Sequence, residues 1–154
     1  MKKSRLTHIL VEGAPDLLEK LALQVEQKYQ VTLVREPERS LVMNKARDSV
    51  SGNPFYMGEI LITECTVSVE SVESVELVGS VYGFGAIMGE EPERAYQLAV
   101  VDCAYNAKLP ETLEWETLLI AEELQIDDKK RLEHSRLMMS KVNFDTMGDQ
   151  NVKS

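Results

Sequence analysis

Gly58-Glu59-Ile60-Leu61-Ile62-Thr63-Glu64-Cys65-Thr66-Val67-Ser68-Val69 decides the fold, because its alternation is that of a β-strand. Leu61, Thr63, Cys65, Val67 and Val69 share one face. The opposite face begins with Ile60 and Ile62 and turns polar through Glu64, Thr66, Ser68 and Glu70. One apolar and one half-wet face suit an antiparallel sheet covered by helices on one side. Burial of Leu61, Val67 and Val69, at roughly 1.5–3 kcal/mol each, makes this strand a large contributor to the core. Nothing on it reads as a nucleophile or a metal ligand.

On the N-terminal side, Leu6, Ile9 and Leu10 form a short helical stripe after Ser4, an N-cap residue type. Gly13-Ala14-Pro15 interrupts the stripe, and Pro15 opens a second helix with Asp16 in its first turn. Leu17, Leu18, Leu21, Val25 and Tyr29 carry that helix to about Lys28. Val31–Val34 reads as a strand, Glu36-Pro37-Glu38 as a turn or edge, and Leu41–Arg47 as a second strand. Asp48–Pro54, rich in Ser, Gly and Asn, is a loop, and the long strand follows from Tyr56.

On the C-terminal side, Ser-Val-Glu occurs three times over residues 68–76, a period that fits neither helix nor strand. It reads as two strand ends around a turn near Glu70–Ser74, with a fourth strand from about Val75 to Phe84. The glycine-rich stretch Gly83 to Gly89 fails the phosphate-loop spacings, and Glu90, Glu91 and Glu93 would repel a phosphate at the helix that follows. That helix, about Pro92 to Asn106, is broadly apolar and should lie flat on the sheet, with Asp102 either facing solvent or finding a partner. Leu113, Trp115, Leu118, Leu119, Ala121 and Leu124 make a further amphipathic helix with acids on its outer face. Asp127-Asp128 is a place for a kink or a cap before Leu132, Leu137 and Met138. The expected fold is α+β: a four-stranded, mainly antiparallel sheet with N-terminal and C-terminal helices packed on it. One domain spans residues 1–141, and residues 142–154 form a C-terminal tail.

The 154 residues suffice to bury roughly 70% of the unfolded surface. A net charge of −9 opposes a nucleic-acid or polyphosphate site held by this chain alone. The run Leu6–Val11, broken by His8, is too short for a signal core or a membrane span. Cys65 and Cys103 read as buried small hydrophobes rather than a disulfide, which places the chain in the cytoplasm. His8 and His134 stand on separate helices, and no zinc-ligand spacing or nucleophile elbow is present. No catalytic, cofactor or metal residue is expected. If the chain were a free-standing enzyme, Glu59 or Asp102 would be its general base; a homo-oligomeric scaffold is the other alternative.

Several stretches, taken in order, resemble the PhnG subunit of bacterial carbon–phosphorus lyase. They are Leu41-Val42, Ala46-Arg47, Gly58-Glu59, Ile62-Thr63-Glu64-Cys65 with Val67, and Tyr82-Gly83 through Gly89. Glu91-Pro92-Glu93-Arg94-Ala95, Ala99–Ala104 and Lys141–Met147 complete the set. The Ser-Val-Glu run lengthens the hairpin relative to that family, and Asp145 stands where an aromatic is more usual. The resemblance implies a non-catalytic, organising subunit in phosphonate catabolism. Together with PhnH, PhnI and PhnL, such a subunit supports displacement of adenine from ATP by methylphosphonate. The product is α-D-ribose 1-methylphosphonate 5-triphosphate. The resemblance also implies a core assembly with PhnH, PhnI and PhnJ, with the glycosyl-transfer chemistry on PhnI, no cofactor on this chain and room for a homodimer within the complex. In the tail, Val142, Asn143, Phe144, Thr146 and Met147 are the candidate partner interface, since large apolar residues without a home in their own domain suit burial in a partner.

Overall fold

The computed structural model describes residues 2–70 and 80–140. In chain order the elements are α1 (Lys3–Glu12), α2 (Pro15–Glu26), β1 (Val31–Arg47), β2 (Pro54–Glu70), β3 (Ser80–Met88), α3 (Pro92–Asn106) and α4 (Glu111–Met139). The fold class is α+β, as expected, but the described sheet has three antiparallel strands in the order β1-β2-β3, not four. Val31–Val34 and Leu41–Arg47 belong to one strand of 17 residues. Pro37, which suggested a break, is absorbed where the register shifts between Arg35 and Glu38. Proline is tolerated there because, among the described strands, β1 is an edge strand paired with β2 alone. The strand expected from Val75 begins, in its described part, at Ser80 and runs on to Met88. Its first residues, the Glu70–Ser74 turn and the 142–154 tail lie outside the described residues.

The face assignment of β2 holds from Thr63 onward: Thr63, Cys65, Val67 and Val69 are all buried. Leu61, expected on the buried face, is instead 38% exposed. The pairing explains this, because Ile62 opposite Met88 is the last contact between β2 and β3. Beyond it, β1 and β2 continue as a two-stranded ribbon from Leu41–Leu61 to Arg47–Pro54. On the half-wet face, Glu64 meets Arg35 at 3.1 Å.

Helix α3 touches all three strands, α2 packs on α3, and α4 packs on α1 and α2. The approach of α3 to β3 is set by two glycines inside the strand, Gly83 within its expected span and Gly85 just past its expected end at Phe84. A Cβ on Gly83 would stand 2.1 Å from the Ala99 carbonyl oxygen and 2.4 Å from the Cys103 nitrogen. On Gly85 it would stand 2.1 Å from the Ala95 carbonyl oxygen and 2.6 Å from the Ala99 nitrogen. Ala95, Ala99 and Cys103 recur every four residues, so a small-residue seam on the helix meets the bare backbone of the strand.

Lys2, not Ser4, precedes the first helical residue of α1, and no side chain caps it. Helix α2 ends at Glu26 rather than near Lys28. Asp127-Asp128 neither kinks nor caps α4, which runs unbroken for 29 residues. Its buried side is Trp115, Leu119 and Ile126, whereas Leu113 and Leu124, expected on that side, are exposed.

Gly85→Ala forces a Cβ into helix backbone that cannot yield as a side-chain tip does. It should lower stability by about 1–3 kcal/mol or more, read as a drop in the thermal midpoint of the purified chain. An unchanged melt would show that α3 does not sit this close to β3.

Candidate functional site

The two carboxylates that could have served as a base lie apart. Glu59 is exposed on the ribbon opposite Met43. Asp102 is buried on α3 beside Phe84, whose β2 neighbour is Thr66. Glu59 and Thr66 are about 20 Å apart along the strand at about 3.3 Å per residue. The structure therefore does not bring the two together.

Asp102 has a structural task. Its Oδ1 meets the Lys3 ammonium at 2.9 Å, and its Oδ2 accepts from the Phe84 N–H at 3.0 Å and from the Asn106 amide at 3.1 Å. The same Asn106 amide donates to the Tyr82 carbonyl at 2.7 Å, and the Cys103 thiol donates to the Val81 carbonyl at 3.1 Å. The last turns of α3 thus satisfy backbone groups of β3 that β2 does not take. A carboxylate whose oxygens are already engaged is poorly placed to accept a substrate proton.

Thr63 closes the other end of the helix–strand contact. Its buried hydroxyl donates to the Gly89 carbonyl at 2.6 Å and accepts from the Glu91 N–H at 3.1 Å. That clamp fixes the turn in which Gly89 has φ +92° and occupies an amide at the start of α3. The adjoining groove, about 360 Å³, is lined by Pro37, Glu38, Arg39, Thr63, Glu90 and Pro92. Arg39 is held by Glu90 at 3.3 Å, so the groove offers a phosphate an engaged cation between carboxylates.

A second buried carboxylate was not singled out from sequence. Glu111, at the start of α4, takes the Lys28 ammonium at 2.8 Å and the Tyr29 hydroxyl at 3.0 Å. Burial disfavours its charged form, yet the hydrogen bonds from Lys28, the backbone and Tyr29 outweigh burial and hold the carboxyl below its ordinary 4.5. His8 and His134 are exposed on α1 and α4. Among the described residues no cluster of three or more metal-ligating side chains occurs, and no helix is long and apolar enough to cross a membrane. Cys65 and Cys103 are free and buried. Burial pushes the Cys103 thiol up to about 11 and the Cys65 thiol in the same direction, against the thiolate.

What stays unsatisfied is apolar surface. The ribbon exposes Leu41, Met43, Phe55, Tyr56 and Met57 at 62%, 55%, 48%, 66% and 64%. The sheet face away from α3 exposes Tyr82, Phe84 and Met88. The signal for the ribbon was in the sequence: Leu41-Val42-Met43 and Phe55-Tyr56-Met57 are consecutive large residues with no polar alternation. The proposed tail residues Val142, Asn143, Phe144, Thr146 and Met147 lie outside the described residues.

These features define a small α+β domain whose buried ionisable groups are tied into its own frame and whose projections carry apolar surface. The chain belongs to the family described as phosphonate metabolism protein PhnG, which matches residues 1–148. It is 27% identical over 124 residues to the alpha-D-ribose 1-methylphosphonate 5-triphosphate synthase subunit PhnG of Rhizobium meliloti (strain 1021). That match covers 80% of this chain and 73% of the relative.

Two outcomes follow from the buried groups. Because the folded-state pKa of Glu111 is depressed, its stabilisation is present above 4.5 and is lost as pH falls through the lower folded value. Glu111→Gln should therefore cost about 1–2 kcal/mol near neutrality, and the gap to the parent should close in acid denaturation below 4.5. Iodoacetamide near pH 8 should leave Cys65 and Cys103 unlabelled in the folded chain and alkylate both in denaturant, as mass spectrometry would read.

Proposed function

We propose that this chain is a non-catalytic, organising subunit of the carbon–phosphorus lyase core complex in the cytoplasm. In this reading it assembles with PhnH, PhnI and PhnJ. With PhnH, PhnI and PhnL it supports formation of α-D-ribose 1-methylphosphonate 5-triphosphate from ATP and methylphosphonate, with release of adenine. Family membership and the relative's name as a synthase subunit support the reaction and the setting. The observation that carries the organising role is the ribbon from Leu41 to Leu61. It is two strands wide, extends past the end of β3 and exposes large apolar residues. A ribbon of two strands is marginal on its own in water, so a partner that covers it also stabilises it. The reading adds no cofactor to this chain, and the commitment of Asp102 and Glu111 to holding elements together is in keeping with it. Burial of Val142, Asn143, Phe144, Thr146 and Met147 in a partner belongs to the same proposal.

The purified chain should not release adenine from ATP in the presence of methylphosphonate, and Glu59→Gln should leave turnover by the assembled complex unchanged. Leu41→Ser with Tyr56→Ser should cut co-purification of the other subunits while moving the chain's own melting temperature little, since both residues are exposed. Deletion of residues 142–154 should weaken assembly more than intrinsic stability. Adenine release by the lone chain, or full assembly of the ribbon variant, would overturn the proposal.

A further inference from the structure

Every strand margin among the described residues carries something that discourages a further strand, except one. On β3, Asp102 and Asn106 take the Phe84 N–H and the Tyr82 carbonyl. Along the first half of β1, Arg35, Pro37 and Glu38 fall where the register shifts twice. On the β2 side of the ribbon stand Pro54 and the extra residue beside Gly58, whose φ is +131°. From Ser40 to Asn44, by contrast, β1 has no charge, no proline and no extra residue. Leu41, Val42 and Met43 are exposed there.

The hydrogen bonds fix which main-chain groups that margin presents. The Leu61 carbonyl accepts from the Gly89 N–H at 2.9 Å, on the β3 side of β2. Leu61 therefore turns its peptide groups away from β1, and Leu41 opposite it turns its own away from β2. The sense alternates along an antiparallel ladder, so Val42 bonds with Ile60, while Met43, opposite Glu59, again presents its N–H and C=O outward. The extra residue at the register shift after Asn44 belongs to β2, so Lys45 continues the outward series.

A row of outward donors and acceptors specifies its own occupant, an extended backbone. The side chains specify the rest. Leu41, Met43, Lys45 and Arg47 share one face by alternation. Among the described residues neither Lys45 nor Arg47 has a carboxylate partner, and Lys45 lies over the Tyr56 ring at 5.8 Å. A second copy of β1 brings no acid between residues 39 and 47, so it answers neither cation. We propose that Leu41–Arg47 pairs, main chain to main chain, with an extended strand donated by another subunit of the complex. That strand sets apolar residues beside Leu41 and Met43 and acids beside Lys45 and Arg47. The inference rests on the reading of the ribbon as the partner-binding element and specifies how the partner holds it. Pro37 on one side and the turn closed by the Asp48 N–H on the Asn53 carbonyl, at 3.0 Å, on the other limit the acceptor to one short strand.

Met43→Pro deletes an N–H that β2 does not use, whereas Met43→Ala trims the side chain and keeps the N–H. When the chain is co-expressed with PhnH, PhnI and PhnJ, Met43→Pro should weaken assembly about tenfold or more relative to Met43→Ala. The thermal midpoint of the lone chain should stay unchanged. Val42→Pro, which removes a bond to Ile60, should instead lower that midpoint. Lys45→Glu with Arg47→Glu should weaken assembly several-fold. Amide exchange reads the same pairing without substitution: the Leu41, Met43 and Lys45 amides should exchange freely in the lone chain and slow down in the complex, while that of Val42 is slowed in both. Equal losses from Met43→Pro and Met43→Ala, full assembly of Met43→Pro, or outward amides that stay fast in the complex would overturn the edge pairing. The ribbon reading would still stand if Leu41→Ser with Tyr56→Ser abolished assembly. Self-association of the lone chain that Met43→Pro abolishes would also overturn the pairing, because the occupant would then be a second copy.

Discussion

Backbone-to-backbone contact between α3 and β3 is the constraint on which the other elements depend. Gly83 and Gly85 remove the side chains that would hold the helix off, and Ala95, Ala99 and Cys103 return the favour from the helix. At that separation the polar side chains of α3 reach the strand itself, which is why Asp102 and Asn106 can bond to Phe84 and Tyr82. A helix held at an ordinary distance by valines or leucines would not place those carboxylate and amide groups within hydrogen-bonding range. The buried charge of Asp102 is tolerable because the close approach supplies the Phe84 N–H while Lys3 of α1 supplies a countercharge.

The same close packing bears on where chemistry could occur. The described buried carboxylates sit at junctions: Asp102 joins α1, β3 and α3, and Glu111 joins the end of α2 to the start of α4. Trp115 adds to the second junction by donating to Gln24 at 2.7 Å. Charge spent on joining elements is charge not exposed to substrate, and in a PhnG-family chain this agrees with work shared among several subunits.

The fold was legible where a residue's own pattern decides its structure. The alternation of β2, the stripe of α2 and the proline at the start of α3 all do so. It was misread where the outcome depends on position in the sheet. Pro37 looks like a strand breaker in isolation, and only its place on an edge strand makes it harmless. Gly85 lies just past the expected end of its strand at Phe84, and the helix pressed against it accounts for a glycine in a strand that runs on to Met88. Leu61 has the alternation of a core residue, yet the third strand stops before reaching it. Likewise Leu113 and Leu124 satisfy helical spacing, but spacing alone cannot say which of two apolar sides meets the domain. Of the site, the commitments of Asp102 and Glu111 were not readable, because they depend on partners far away in the chain.

The hydrogen bonds from α3 onto β3 also govern how the molecule can aggregate. An unpaired strand edge is a template that recruits further strands, copy after copy. Here the Phe84 amide and the Tyr82 carbonyl are taken by Asp102 and Asn106, and on the far side of the described sheet Pro37 and the register shift beside it interrupt the β1 edge. With one margin stoppered and the other broken, the sheet offers little footing for filaments that lengthen indefinitely. Apolar side chains left in solvent can then lead to assemblies of limited size rather than to fibres.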